Sequence, residues 1–199
     1  MKKFIFFSLI LISIIGFSVF AAEANEKSNS VNQNNTQKTT KALPTGPKSI
    51  KLGMSLEETK KQLIDEPEFG YTGDADVSLT PGDAQYIIET DATKGMGSIF
   101  YTQCWFQFYD EKLYIITMNI NTQKMDYYTM FKNFTEKYGE PDEINPEKAV
   151  WSSDTVTMIL EKSLSVKYID TQVYNNILEL SNIEISAEEL TREMFLEEF

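Results

Sequence analysis

The sequence predicts an α+β fold in which antiparallel β-sheet meanders carry helices packed on one face. Alternating apolar and polar residues indicate half-buried strands, and the longest such stretch covers residues 100–120. Two helical patterns begin at residues with N-cap chemistry. Each of these helices ends near a Glu-Pro pair and precedes predicted strands, so tandem α-β units at 48–121 and 122–199 are one interpretation and chance similarity is the other.

The first predicted helix begins after Ser55. Ser55 and Glu58 have the spacing of a capping box, in which each side chain accepts a hydrogen bond from the other residue's backbone N–H. Pro67 should end this helix at about Asp65. The turn-rich segment 74–90 that follows predicts two short strands.

Residues 100–120 carry the strongest strand pattern of the chain and predict a long antiparallel hairpin. Asp110-Glu111-Lys112 forms its turn. One face of the hairpin is wholly apolar, and its first strand contributes Phe100, Thr102, Cys104, Phe106 and Phe108. The pattern therefore predicts that the single cysteine, Cys104, is a buried, inert thiol. A reactive thiol would require exposure and a lowered pKa.

Asp126 begins the clearest helical pattern, because apolar and aromatic residues recur from Tyr127 to Tyr138 at spacings of three and four. Gly139 should end this helix as a left-handed C′ residue, and Pro141 prevents its continuation. These features predict a second helix of about twelve residues.

A second meander is predicted between residues 155 and 168, where alternation resumes on both sides of a Lys-Ser turn. Residues 171–180 fit either a helix or a strand. Ser186 and Glu189 form another capping box, which predicts that a last helix begins there. Its apolar stripe of Leu190, Met194 and Phe195 could dock on this domain or on a partner.

The N-terminus has the order of a secretory signal peptide. Lys2 and Lys3 precede an uncharged apolar run from Phe4 to Phe20, and small residues follow at 21–24. We expect a signal peptide at residues 1–22, with cleavage between Ala21 and Ala24. An uncleaved anchor is the alternative, and a membrane partner is expected only in that case.

Residues 23–47 contain no aromatic residue and read as a disordered polar tether, which leaves a single α+β domain at residues 48–199. No cysteine lies at the end of the apolar run, so no lipid anchor is expected. The predicted location is therefore the periplasm or the medium.

Composition removes several kinds of chemistry. The chain of 199 residues contains no histidine and one cysteine, which excludes histidine bases, histidine metal ligands and intrachain disulfides. Its net charge of −12 argues against nucleic acid as a partner. No nucleotide or nucleophile motif is present, so we expect no catalytic residue, no metal and no cofactor.

Tyr101, Trp105 and Tyr109 are the predicted binding residues. Strand alternation places them on one face, opposite the Phe/Cys face of the hairpin. Exposed aromatic rows anchor protein interfaces or sugar sites. The alternative is that a helix covers this face, with Phe131 and Phe134 packed on it.

Two acidic clusters could hold Ca²⁺ through carboxylate and carbonyl oxygens, although neither matches the calcium-loop pattern. Solvated surface charge is the simpler interpretation. The clusters comprise Asp74, Asp76 and Asp83, and Asp142, Glu143 and Glu147.

Gly53-Met54-Ser55, followed by Glu58, Leu63 and Pro67, resembles the helix-opening motif of small exported bacterial envelope domains. These include the BamE/SmpA-like assembly proteins and the β-lactamase-inhibitor-protein-like domains. The stretch from Phe134 through Tyr138-Gly139-Glu140-Pro141 to Trp151 looks like their continuation. The resemblance implies an α-plus-antiparallel-sheet module that binds other proteins and performs no chemistry.

These observations predict an exported, non-catalytic interaction module of the bacterial cell envelope, with another envelope protein as its partner. A carboxylate-dependent hydrolase acting on an envelope polymer is one alternative, since paired carboxylates can cleave glycosides without histidine. A small-ligand or Ca²⁺ carrier is the other.

Overall fold

The computed structural model of the protein describes residues 42–79, 85–94 and 99–197. The predicted signal peptide, most of the predicted tether and Asp83 lie outside these residues. The described chain forms one antiparallel sheet of eight strands together with three α-helices. The predicted α+β class and the antiparallel sheet are therefore confirmed.

A helix precedes each of two groups of four strands, and a third helix follows the second group. The helices are α1 (Leu56–Asp65), α2 (Tyr127–Tyr138) and α3 (Thr171–Glu197). The first four strands, between α1 and α2, are β1 (Val77–Leu79), β2 (Tyr86–Asp91), β3 (Tyr101–Tyr109) and β4 (Lys112–Ile120). The other four, between α2 and α3, are β5 (Glu143–Ile144), β6 (Lys148–Ser152), β7 (Val156–Glu161) and β8 (Ser165–Asp170).

The strand order across the sheet is β1-β2-β3-β4-β8-β7-β6-β5. Chain neighbours pair everywhere except at the centre, where β4 pairs with β8 and Thr117 lies opposite Lys167. This central pair joins the two meanders into one sheet.

One face of the sheet, here called the inner face, forms the hydrophobic core. Residues aligned across six strands are all buried, namely Ile88, Phe106, Ile116, Tyr168, Met158 and Trp151. Leu63 of α1 and Phe134 of α2 belong to the same core cluster. The apolar face that the alternation predicts for residues 100–120 is therefore part of the hydrophobic core.

The folded unit begins before residue 48, the predicted boundary of the tether. Leu43 packs against the core cluster, and Gly46 and Pro47 are buried. The Leu52 N–H donates to the Thr45 carbonyl at 2.8 Å, which holds this segment against the domain. Its polar composition gave no indication of these contacts.

The predicted caps of the first two helices are present. Ser55 and Glu58 form the complete capping box of α1, and Asp126 accepts a hydrogen bond from the Thr129 N–H at 2.9 Å. Gly139 ends α2 at a φ of 90° and a ψ of −175°. This backbone favours glycine, but it lies outside the left-handed helical region that the sequence pattern predicts.

The C-terminal prediction is wrong in one respect, because a single helix α3 begins at Thr171 and not near Ser186. Asp170 accepts hydrogen bonds from the N–H groups of Gln172 and Val173 at the start of α3. The Ser186 hydroxyl donates to the Asn182 carbonyl one turn earlier, as serine does inside a helix. A capping-box spacing therefore occurs within a continuous helix.

Candidate binding face of the sheet

The outer face is the side of the sheet opposite the core, and two of the three predicted binding residues lie here. It is composed of two aligned rows across β2, β3, β4, β8, β7 and β6. One row contains Glu89, Trp105, Thr117, Lys167, Ile159 and Val150. The other contains Ile87, Gln107, Ile115, Ile169, Thr157 and Ser152.

Trp105 and Tyr109 lie on this outer face, as the strand alternation predicts. Both side chains are half-buried, and neither belongs to the core cluster or to the side chains packed against it. Trp105 lies opposite Thr117, and Tyr109 lies opposite Lys112 at the end of the hairpin.

Tyr101 does not join them, and its predicted place in the aromatic row is wrong. The pairing of β3 with β4 shifts between Tyr101 and Cys104, which adds one residue to β3 at this point. Tyr101 instead stacks on buried Phe69, with ring centroids 5.3 Å apart and planes inclined by 7°. The bulge therefore moves this ring to the core side.

A second bulge adds an aromatic side chain that the sequence reasoning missed. The register shifts again between Gln107 and Phe108, so β4 has one extra residue, Tyr114. Tyr114 meets Tyr109 edge-on, with ring centroids 6.1 Å apart. Burial raises the Tyr114 pKa, and the nearby Tyr174 of α3 raises it further. Simple alternation along β4 would place Tyr114 on the same face as Ile116, and only the bulge brings it beside Tyr109.

The aromatic side chains of α2 pack elsewhere. Phe131 and Phe134 were the residues expected to cover Trp105 if the aromatic row were buried. Both contact Trp151 on the inner face, at centroid distances of 6.0 and 5.7 Å. The helix that could have covered Trp105 is thus engaged with the core.

Charge on the outer face is low for so acidic a protein. Lys167, at its centre, forms an ion pair with Glu161 at 2.5 Å, and Lys148 lies opposite Glu161 in the sheet register. Lys112 is exposed beside Tyr109, and Glu89 is exposed beside Trp105. Apolar and aromatic side chains with few unbalanced charges are typical of protein interfaces.

Three carboxylates of the predicted acidic clusters have partners within the protein. Asp74 forms an ion pair with Lys60, and Asp76 accepts hydrogen bonds from Thr72. Asp142 accepts a hydrogen bond from the Ser152 N–H at 2.8 Å. Among the described residues, no group of three or more Asp, Glu, Cys or His is placed to hold a metal ion.

Cys104 is fully buried on the inner face, in agreement with the prediction of an inert thiol. Burial raises its pKa to about 12, so the thiol stays protonated at neutral pH. Among the described helices, none combines the length and apolar character that crossing a membrane would need.

A shallow groove of about 410 Å³ lies between the β5–β6 loop and the β7–β8 hairpin. Pro146 and Ser163 line it together with two lysines and two glutamates, Lys148, Lys162, Glu147 and Glu161. The Lys162 ammonium lies 3.7 Å from the centre of the Tyr127 ring, which gives it a cation–π contact. Its mixed charges provide no arrangement specific for a ligand.

The fold and its aromatic outer face define a small α+β protein built on a single antiparallel sheet. The TP0088 domain matches residues 45–180, about two thirds of the chain, and the chain belongs to this family. No curated protein and no solved structure matches it. The resemblance to BamE/SmpA-like and β-lactamase-inhibitor-protein-like domains stays a prediction.

Proposed function

We propose that this protein is an exported, non-catalytic interaction module of the bacterial cell envelope, and that it binds another envelope protein through the outer face of its sheet. The observation that carries the proposal is the group formed by Trp105, Tyr109 and Tyr114. These rings are half-buried, lie outside the core cluster and belong to the central β3–β4 hairpin. Such aromatics contribute large contact area at little cost in conformational entropy.

The position of this group on the face opposite the core supports the proposal. In this proposal α1 and α2 cover the inner face, through Leu63 and Phe134, and the outer face is left for binding. The two outer rows cross the central β4–β8 pair. Strands of both meanders therefore contribute to the surface.

We further propose that residues 48–121 and 122–199 are tandem units. Each contains a capped helix followed by a four-stranded meander, and the two meanders join through the antiparallel β4–β8 pair. Antiparallel pairing of equivalent last strands is what a two-fold relation between the units requires.

The export part of the proposal rests on the basic, apolar and small-residue order of residues 1–24. Expression in a bacterium with an intact secretory pathway tests it by sequencing the N-terminus of the product. A new N-terminus between residues 22 and 25, on protein recovered from the periplasm or the medium, is expected. Retention in the cytoplasm with Met1 in place would contradict export.

Binding is tested with a photo-reactive phenylalanine analogue at Gln107, between Trp105 and Tyr109 on the outer face. The same analogue at Tyr128, which is 71% exposed on α2, is the matched control. We expect a discrete cross-linked protein in intact envelopes from position 107 alone. The Trp105→Ala variant should then weaken binding of the identified partner by about 30-fold, the effect of a typical interface hot spot.

Equal cross-linking from positions 107 and 128 would contradict this surface as the binding site. An unchanged affinity of the Trp105→Ala variant would contradict it as well. Far-UV circular dichroism and a melting curve of the variant show whether the sheet is intact.

A further inference from the structure

Several apolar side chains of the helix α3 are exposed to solvent in the part of the helix whose side chains the structure describes. Beyond its second turn the exposed side chains include Leu178, Leu180, Ile183, Met194 and Leu196. Leu180 and Ile183 are 51% and 65% exposed. A helix with this much exposed apolar surface normally packs on another element.

The base of α3 already sits at the edge of the outer face. The Thr171 hydroxyl lies 3.0 Å from the Thr157 hydroxyl of β7, within hydrogen-bonding distance. Tyr174 lies close enough to Tyr114 to affect its pKa. After these two turns the described side chains of the helix are mostly exposed. On the outer face Val150 and Ile169 are buried, whereas Trp105, Ile115 and Ile159 are half-buried.

The two surfaces match in size. The part of α3 from Leu178 to Glu197 is twenty residues long, about 30 Å at 1.5 Å per residue. Eight strands about 4.8 Å apart make a sheet roughly 34 Å wide. A helix about 10 Å thick would cover roughly 300 Å² of such a face.

Charge favours the same pairing. The sequence of α3 contains six glutamates and one arginine. The outer face contains Lys112, Lys148 and Lys167, three of the thirteen basic residues of the domain from residue 48 onward. Glu89, Glu143 and Glu161 lie on the same face and balance these three lysines. The whole chain has a net charge of −12, so an acidic helix meets less repulsion at this face than elsewhere on the protein.

We infer that α3 of a second copy of this chain covers the outer face, and that two copies exchange their helices in a symmetric dimer. Each helix-on-sheet contact buries about 300 Å² on each partner, so the two contacts bury roughly 1,200 Å², the lower limit for a specific interface. The dimer hides Trp105 and Tyr109 until a partner displaces the helix. The idea that the dimer regulates partner binding rests on the proposed function. The dimer itself can be measured without any partner.

The mass in solution is measured by sedimentation equilibrium from 1 to 200 µM on the chain from Glu23 to Phe199, which keeps every described residue. We expect a reversible monomer–dimer equilibrium with a micromolar dissociation constant, as suits an interface of this size. The Leu180→Gln/Ile183→Gln variant should weaken it at least tenfold. Ile64→Gln on α1, at an equally exposed isoleucine, is the matched control and should leave the constant unchanged.

Acrylamide quenching of Trp105 fluorescence shows whether the outer face is the covered surface. Its concentration dependence shows whether the covering helix comes from a second copy or from the same chain. Trp151 is buried in either state, and the Trp105→Phe variant provides its signal alone. We expect Trp105 to become protected as the concentration rises, with the same midpoint as the mass. The Leu180→Gln/Ile183→Gln variant should remain quenchable throughout.

A monomer at all concentrations would overturn the inference, as would a dimer that survives the Leu180→Gln/Ile183→Gln substitutions. Protection of Trp105 that does not depend on concentration would mean that α3 folds onto its own sheet, and this too would overturn it. None of these outcomes decides the proposed function, because cross-linking from Gln107 to an envelope protein is measured separately.

Discussion

Trp151 links α2 to the sheet, and its removal should destabilise the domain more than the loss of any exposed aromatic. The indole is 1% exposed, packs against Phe134 and donates from Nε1 to the Gly139 carbonyl at 2.8 Å. Trp151→Ala creates a large cavity, which costs about 3–5 kcal/mol. Trp151→Phe retains a ring but leaves the Gly139 carbonyl without this donor, and should cost about 1–2 kcal/mol.

Urea unfolding at 25 °C, followed by far-UV circular dichroism, measures these free energies without relying on tryptophan fluorescence. For a domain of this size, each kcal/mol lowers Tm by about 2–4 °C, so Trp151→Phe should lower it by roughly 2–8 °C. Tyr128→Phe is the control, since exposed substitutions stay within about 0.5 kcal/mol. If Trp151→Phe costs no more than Tyr128→Phe, the hydrogen bond to Gly139 contributes nothing and the reasoning is wrong.

Three further predictions concern the backbone, the pH dependence and the thiol. Gly70→Ala should destabilise by at least about 2 kcal/mol more than Gly53→Ala, because both glycines have positive φ but only at Gly70 would the new Cβ lie 2.4 Å from the Asp91 carbonyl oxygen; equal losses in urea unfolding would contradict this. Hydrogen bonds from Thr129 lower the pKa of Asp126, so its contribution is complete above the unfolded pKa of about 4 and is lost as the pH falls through the folded value. The Asp126→Asn variant should therefore lose less stability than the wild type between pH 5 and pH 2, and parallel curves would count against the cap. Cys104 should not react with a thiol reagent at pH 8 until urea unfolds the protein, since burial raises its pKa to about 12; rapid reaction in the native state would disprove its burial.

The central hairpin was predictable because its side chains alternate over nine residues in each strand. The bulges at its two ends were not. A bulge cannot be recognised from the residue types of a strand. One bulge nevertheless moves Tyr101 to the core side, and the other brings Tyr114 beside Tyr109. The sequence therefore predicts only some of the residues on the outer face, because the register between β3 and β4 decides which side chains lie there.

The α2 helix shows a different limit. Its cap at Asp126 and its aromatic stripe were readable, because both are local patterns. The sheet face on which Phe131 and Phe134 pack depends on the path of the whole chain. Nothing within α2 distinguishes a stripe that contacts Trp151 from one that contacts Trp105.

The β4–β8 pair has a consequence for how the protein folds. Six of the seven strand pairings among the described residues join neighbours in the chain, but Ile115 and Ile169, which pair across β4 and β8, are separated by more than fifty residues. Closing a loop of this length costs conformational entropy before its contacts are gained, whereas each meander needs only short loops. Formation of the β4–β8 pair should therefore limit the folding rate. Substitutions at Thr117 or Lys167 should slow folding more than substitutions at the sheet edges.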